Sequence, residues 1–122
     1  MDFKRMFRSF RFAGKGLYKL ALQENNAKFH LLGTVLVLMG GGYFHLSNVE
    51  WCLVIFAIVL VWAAEAINTA LEVLCDRIST QKDPMIGKVK DLAAGGVLVC
   101  AMGAFAVGVF IFGPRILAFF QG

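Results

Sequence analysis

The chain has 122 residues, of which 59% are hydrophobic and 16% are charged. Soluble domains average about 45–50% apolar residues, so this composition excludes an ordinary soluble domain and indicates one small membrane domain that covers residues 1–122. A net charge of +4 is compatible with nucleic-acid binding. The basic residues follow the ends of the apolar segments, however, which argues against a nucleic-acid partner.

The first 25 residues predict an amphipathic helix that lies on the membrane surface. Apolar side chains recur every three or four positions from Phe3 to Leu20. Basic side chains occupy a second stripe at similar spacing, formed by Lys4, Arg8, Arg11, Lys15 and Lys19. Helices of this kind lie in the membrane interface, so we expect most of these cations to face lipid headgroups, with phosphate binding as the alternative.

Three apolar segments predict three transmembrane helices, which together with the surface helix make an all-α membrane protein. The surface helix, the three segments and a short tail are residues 1–25, 29–46, 51–75, 84–112 and 113–122. Asp83 and Pro84 form a typical start for the third helix, and Gly113-Pro114 is expected to stop it. The two histidines, His30 and His45, flank the first span and are expected to be interfacial residues rather than ligands.

The distribution of basic residues predicts the orientation of the spans. Seven Lys and Arg residues precede the first span, four lie in or near the second loop, and the first loop has none. The positive-inside rule therefore places the N-terminus and the second loop in the cytoplasm, and the C-terminus on the external side.

Polar side chains share one face of the second span. At about 100° per residue, Glu72 and Asp76 fall within roughly 20° of Glu65, and Asn68 lies about 60° away. A charge at bilayer depth costs about 3 kcal/mol or more, so this face indicates a transport pathway, a metal site or a catalytic site. The alternative is a polar seam that joins helices, which suits Asn68 better than a pair of glutamates.

Charged side chains of both signs are expected at the cytoplasmic membrane surface. They are Glu24, Glu72, Asp76, Lys88, Lys90 and Asp91. Glu65 lies about 16 Å deeper than Asp76, where it would meet an acceptor that arrives from the lipid. Carboxylates beside lysines suit Mg²⁺-dependent phosphoryl transfer, because Mg²⁺ takes carboxylate and phosphate oxygens. The sequence has no GxxxxGK[ST] loop, which excludes nucleotide chemistry of the Walker type.

Two segments resemble the signature of a known family. Residues 65–76 (EAINTALEVLCD) and residues 90–98 (KDLAAGGVL) are similar to the small bacterial membrane lipid kinases, the prokaryotic diacylglycerol kinase and undecaprenol kinase family. The resemblance covers nearly the whole chain, since Arg5, Gly16 and Glu24 also match. It implies a homotrimer of three-span subunits in the bacterial inner membrane, with ATP and Mg²⁺ bound at the cytoplasmic face and active sites built from neighbouring subunits.

The resemblance also implies roles for single residues. Glu65 would be the general base and, with Ala94, would contact the acceptor lipid, while Asn68 would orient the base or the acceptor. Glu24 and Glu72 would hold Mg²⁺. The positions that would contact or organise ATP are Arg5, Glu24, Glu72, Asp76, Lys90 and Asp91.

The acceptor has two candidates within the family. Ala93-Ala94 stand where the diacylglycerol branch more often has Gly-Ser, and Glu50-Trp51 also looks more like the undecaprenol branch. This favours undecaprenol, with diacylglycerol as the alternative.

Two other classes of protein compete with a kinase. A small proton- or cation-coupled transporter could use one intramembrane glutamate, and a pore-forming or structural protein should tolerate Glu65→Gln. A transporter leaves the Lys90-Asp91 pair and the clustered carboxylates unexplained, and a lipid kinase is the favoured function.

Overall fold

The computed structural model describes residues 1–79 and 81–122, which form four α-helices. They are α1 (Phe3–Gln23), α2 (Asn25–Phe44), α3 (Asn48–Ile78) and α4 (Pro84–Gln121). Within these described ranges, α2, α3 and α4 are each long and apolar enough to cross a membrane. The expected all-helical membrane fold is therefore confirmed.

The surface helix α1 begins where Asp2 caps it. The Asp2 carboxylate accepts a hydrogen bond of 3.1 Å from the backbone N–H of Arg5. Leu20 is the buried residue of this helix, and both the apolar and the basic stripe are otherwise exposed. α1 contacts α2 and α3, so that its C-terminal end leads directly into the bundle.

The turn between α2 and α3 is defined by two capping structures. His45 ends α2 with a left-handed backbone (φ 54°). Ser47 starts α3 with a capping box, in which its hydroxyl accepts from the Glu50 N–H (3.2 Å) while the Glu50 carboxylate accepts from the Ser47 N–H (3.0 Å). The Ser-x-x-Glu pattern that forms this capping box is visible in the sequence.

The most extensive contact between two helices is the one between α3 and α4. Asp83 caps α4 as expected, since its carboxylate accepts from the Met85 N–H at 2.9 Å and Pro84 follows at the first turn. Near the α2–α3 turn, Leu46, Val54 and Ile111 form a buried apolar cluster. Elsewhere the spans expose large side chains, which indicates that lipid or further protein covers them.

The expected end of the third helix at Gly113-Pro114 is wrong, because α4 continues to Gln121. Pro114 has no N–H to donate to the preceding turn, which normally weakens a helix. The Arg115 guanidinium donates to the Ile111 carbonyl (2.8 Å) and to both Glu50 carboxylate oxygens (2.7 and 2.8 Å). This bidentate contact holds the helix after the proline against the first turn of α3.

We expect Arg115→Leu to lower the thermal unfolding temperature by several degrees. The substitution removes two charge-assisted hydrogen bonds between α3 and α4 and leaves the half-buried Glu50 carboxylate without its cation. Thermal unfolding in detergent, followed by circular dichroism, measures the effect. Arg77→Leu is the control, because Arg77 is exposed at the other end of α3 and its side chain has no ion pair with a described residue. Equal unfolding temperatures for the two variants would contradict the role assigned to Arg115.

Candidate active site

Glu65 and Asn68 are buried inside the bundle. Their exposed fractions are 2% and 4%, and they are the buried polar residues in the part of the chain that the structure describes. Glu65 Oε2 and Asn68 Oδ1 accept no hydrogen bond from any described residue. An unsatisfied buried polar atom costs roughly 1–3 kcal/mol, so such atoms are expected where a ligand supplies the missing donor.

Glu65 lies against His30 of α2. The His30 Nε2 atom is 3.3 Å from Glu65 Oε2, which is within ion-pair distance, although the two groups are not aligned for a hydrogen bond. His30 is the sixth residue of α2, so the deepest carboxylate of α3 lies level with the second turn of α2. Sequence reasoning placed His30 at the interface and missed this contact, since no sequence spacing relates residues on different helices.

Asn68 connects to the next carboxylate along α3. Its side-chain amide donates to Glu72 Oε1 at 3.3 Å. Glu72 is half-buried, so burial decreases along the polar face from Glu65 and Asn68 towards the end of α3. The polar face predicted from the sequence is therefore buried at Glu65 and Asn68 and more accessible at Glu72 and Asp76.

Asp76 and Lys90 form an ion pair between the end of α3 and the start of α4. Both side chains are substantially exposed, at 67% for Asp76 and 38% for Lys90. They line a polar cleft of about 620 Å³, together with Lys82 of the loop and Gly87 of α4. The cleft is open and carries both cations and carboxylates, which are the side chains that phosphate and metal ions require.

Glu24 lies at the break between α1 and α2. It is extended (φ −90°, ψ 129°) and half-buried, and its carboxylate makes no capping hydrogen bond to the N-terminus of α2. Arg5 and Asp91 are exposed, and neither side chain forms a hydrogen bond or ion pair with a described residue. Ala94 is exposed on α4. Of the residues predicted from the sequence, the structure brings Asn68 to Glu72 and Asp76 to Lys90, and it places Glu65 beside His30, which was not among them. The side chains of Glu24, Arg5, Asp91 and Ala94 form no hydrogen bond or ion pair with these residues.

The residues predicted to bind metal supply only two carboxylates. Across residues 1–79 and 81–122, no three His, Cys, Asp or Glu side chains are grouped to hold a metal ion. Mg²⁺ is usually held by one or two protein carboxylates, with substrate phosphates and waters as the other ligands. Glu24 and Glu72 therefore fit a metal ion that is shared with phosphates rather than one enclosed by the protein.

An apolar cleft of about 680 Å³ lies between α2, α3 and α4. Its lining is hydrophobic apart from His30 and Thr34, and it includes Val61, one turn of α3 before Glu65. The buried carboxylate therefore lies close to an apolar opening on one side, while the polar cleft lies further along α3.

The fold and the site define a small all-helical membrane protein with a buried acidic site between its helices. Residues 11–112 match the family described as prokaryotic diacylglycerol kinase. This match covers more than half of the chain, so the chain belongs to the prokaryotic diacylglycerol kinase family and is a lipid kinase of that family. The resemblance seen in residues 65–76 and 90–98 is confirmed.

The names of similar proteins specify two different acceptor lipids, undecaprenol and diacylglycerol. The chain is 35% identical to undecaprenol kinase of Bacillus subtilis over 115 residues, which is 94% of each protein. It is 32% identical to a diacylglycerol kinase of Synechocystis over 111 residues, which is 90% of this chain and 63% of that protein. It is 24% identical to diacylglycerol kinase of Escherichia coli over 102 residues, or 84% of each protein.

Proposed function

We propose that this lipid kinase transfers the γ-phosphate of ATP to the hydroxyl of undecaprenol and forms undecaprenyl phosphate. The observation that carries the proposal is the Glu65 carboxylate, which is only 2% exposed and lies next to His30 and one helical turn from Val61 of the apolar cleft. A carboxylate in this state is suited to accept a proton from a hydroxyl that enters from the apolar side.

In the proposed reaction, Glu65 takes the proton of the acceptor hydroxyl. The hydroxyl oxygen then bonds to the γ-phosphorus, and the bond from that phosphorus to the bridging oxygen breaks, so that ADP leaves with the electron pair. Asn68 orients the acceptor through its unpaired Oδ1 or holds Glu72 in place through its amide. Ala94 contacts the acceptor in this scheme.

The nucleotide would bind at the more accessible end of the polar face. Glu24 and Glu72 would hold Mg²⁺, which when bound neutralises phosphate charge and orients the transferred group. Lys90 would contact the phosphates, and Asp76 holds the Lys90 ammonium beside the polar cleft. Arg5 and Asp91 would organise the nucleotide from α1 and α4.

A homotrimer would complete this site. Arg5 and Asp91 are exposed, and their side chains form no hydrogen bond or ion pair with the described residues of their own chain, which supports contacts made between subunits. The large apolar side chains exposed on all three spans also leave extensive surface for helix packing. The basic residues gathered before the first span and around the second loop support a cytoplasmic N-terminus and an external C-terminus. The family match supports a location in the bacterial inner membrane.

Undecaprenol is preferred over diacylglycerol for two reasons. The Bacillus subtilis relative that matches 94% of both chains is an undecaprenol kinase. Ala93-Ala94 also stand where the diacylglycerol branch more often has Gly-Ser, so a hydroxyl available to that branch is missing here. Diacylglycerol is the alternative acceptor, since the other two relatives are diacylglycerol kinases.

The test is transfer of labelled phosphate from ATP in mixed micelles that contain either undecaprenol or a diacylglycerol. We expect kcat/KM to be higher with undecaprenol and the activity to disappear when a chelator removes Mg²⁺. A preference for diacylglycerol would overturn the acceptor assignment and keep the mechanism. Absence of transfer to both lipids by folded protein would overturn the proposed function.

A further inference from the structure

Two contacts, one helical turn apart, fix α2 against α3 beside Glu65. In the first, His30 Nε2 lies 3.3 Å from Glu65 Oε2. In the second, the Trp62 indole N–H donates to the Thr34 hydroxyl at 2.9 Å. His30 and Thr34 are four residues apart on α2, and Trp62 and Glu65 are three apart on α3, so both contacts belong to one antiparallel register.

The Thr34 hydroxyl also reaches the backbone of His30. It donates to the His30 carbonyl at 2.7 Å, so a continuous chain of hydrogen bonds runs from Trp62 through Thr34 to the turn that carries the imidazole. This chain restrains the backbone of His30 relative to α3. The imidazole is therefore held beside the carboxylate by polar contacts as well as by packing.

Among the described residues, no lysine, arginine or second histidine lies within ion-pair distance of the Glu65 carboxylate. Within the described residues, His30 is the basic side chain within ion-pair distance of Glu65. The stretch of α4 from residue 92 to residue 112 has no Asp, Glu, Lys, Arg or His, and Cys100 is its only titratable group. Lys15 and Lys19 of α1 and Lys28 of α2 are exposed, and on α3 Asn68 directs its amide to Glu72.

We propose that His30 is a positioning residue for Glu65. A small rotation of the imidazole aligns Nε2–H with Oε2, which holds the carboxylate so that its other oxygen faces the acceptor hydroxyl. The inference rests on the proposed function, in which Glu65 takes the hydroxyl proton while phosphate passes from ATP to the acceptor oxygen and ADP leaves. His30 neither gains nor loses a proton in this step.

Because His30 contacts Glu65 through Nε2, two amide substitutions of His30 test its positioning role. In His30→Gln the side-chain amide nitrogen can reach the position of Nε2, whereas in His30→Asn it reaches only the position of Nδ1. We expect His30→Asn to lower kcat by about 10- to 100-fold, because small misplacements of a catalytic group have effects of this size. His30→Gln should recover at least about tenfold of that loss, with KM for ATP and lipid changed less than about twofold in both variants.

The other histidine supplies the control. His45→Asn changes the same residue type at the α2–α3 turn, where asparagine tolerates the left-handed backbone, and it should leave kcat unchanged. Thermal unfolding in detergent, run on all variants, shows that kcat is compared between folded proteins.

The outcomes separate the inference from the function on which it rests. An active wild type with equal kcat in His30→Asn and His30→Gln overturns the positioning role alone. A rise in KM at unchanged kcat also overturns it, since His30 would then bind substrate. A folded wild type that phosphorylates neither undecaprenol nor diacylglycerol overturns the proposed function itself.

Discussion

Replacing Glu65 with glutamine is expected to lower kcat by about 10²- to 10⁴-fold, the usual effect of losing a general base. Glutamine keeps the size of the side chain but cannot take the acceptor proton at neutral pH. Because a neutral amide is less costly to bury than a carboxylate, the thermal unfolding temperature should stay the same or rise. Phosphate transfer to lipid in mixed micelles and thermal unfolding in the same detergent measure the two quantities.

Glu50→Gln is the matched control for this experiment. It is the same substitution on the same helix, but Glu50 lies at the α2–α3 turn and binds Arg115. We expect its unfolding temperature to fall while kcat, measured well below that temperature, stays close to the wild-type value. The two variants should therefore show opposite patterns.

A Glu65→Gln protein that fails to fold or assemble would contradict the catalytic assignment. That result would instead support the interpretation of the polar face as a seam between helices, in which Glu65 and Asn68 serve packing. An active and stable Glu65→Gln protein would show that Glu65 is not the general base.

Replacing Gly41 with alanine is expected to lower the free energy of unfolding by about 1–3 kcal/mol, the usual cost of overpacking. Gly41 is buried, and a Cβ atom added there would lie 2.5 Å from Cη2 of Trp51, the fourth residue of α3. Alanine raises helix propensity by up to about 1 kcal/mol, which offsets only part of this cost. Denaturant-induced unfolding in micelles measures the change.

Gly42→Ala is the control, because an added Cβ at Gly42 meets no atom within 4 Å. It changes the same residue type on the next position of α2, so the propensity gain is the same while the collision is absent. We expect its stability to equal or exceed that of the wild type. Equal destabilisation by both substitutions would show that α2 needs glycine here for helix flexibility and not because of the contact with Trp51.

Much of the fold follows from local patterns that the sequence carries. Long apolar segments predict spans because backbone groups in lipid must bond within a helix, and Asp83-Pro84 predicts a helix start for equally local reasons. The end of α4 is the exception, since the local rule for Gly113-Pro114 fails. The contact between Arg115 and Glu50 joins residues 65 positions apart, and no local rule contains it.

The candidate site likewise has features that local spacing predicts and features that depend on contacts between helices. The helical spacing of Glu65, Asn68, Glu72 and Asp76 correctly predicts a polar face, but spacing cannot state how much of that face is covered. The structure buries Glu65 and leaves Asp76 two-thirds exposed. Because α3 is longer than α2, the shorter helix covers only part of the face.

The sequence by itself determines that this protein is a helical membrane protein, which residues are polar within the second span, and to which family it belongs. The first two features depend on hydrophobicity and on spacing along one helix, which are local, and the family follows from the resemblance of residues 65–76 and 90–98 to its signature. Only the tertiary structure decides that Glu65 is buried beside His30 and that Lys90 meets Asp76. Such contacts depend on the register between helices, which is set by packing over the whole interface and leaves no periodic signal in the chain.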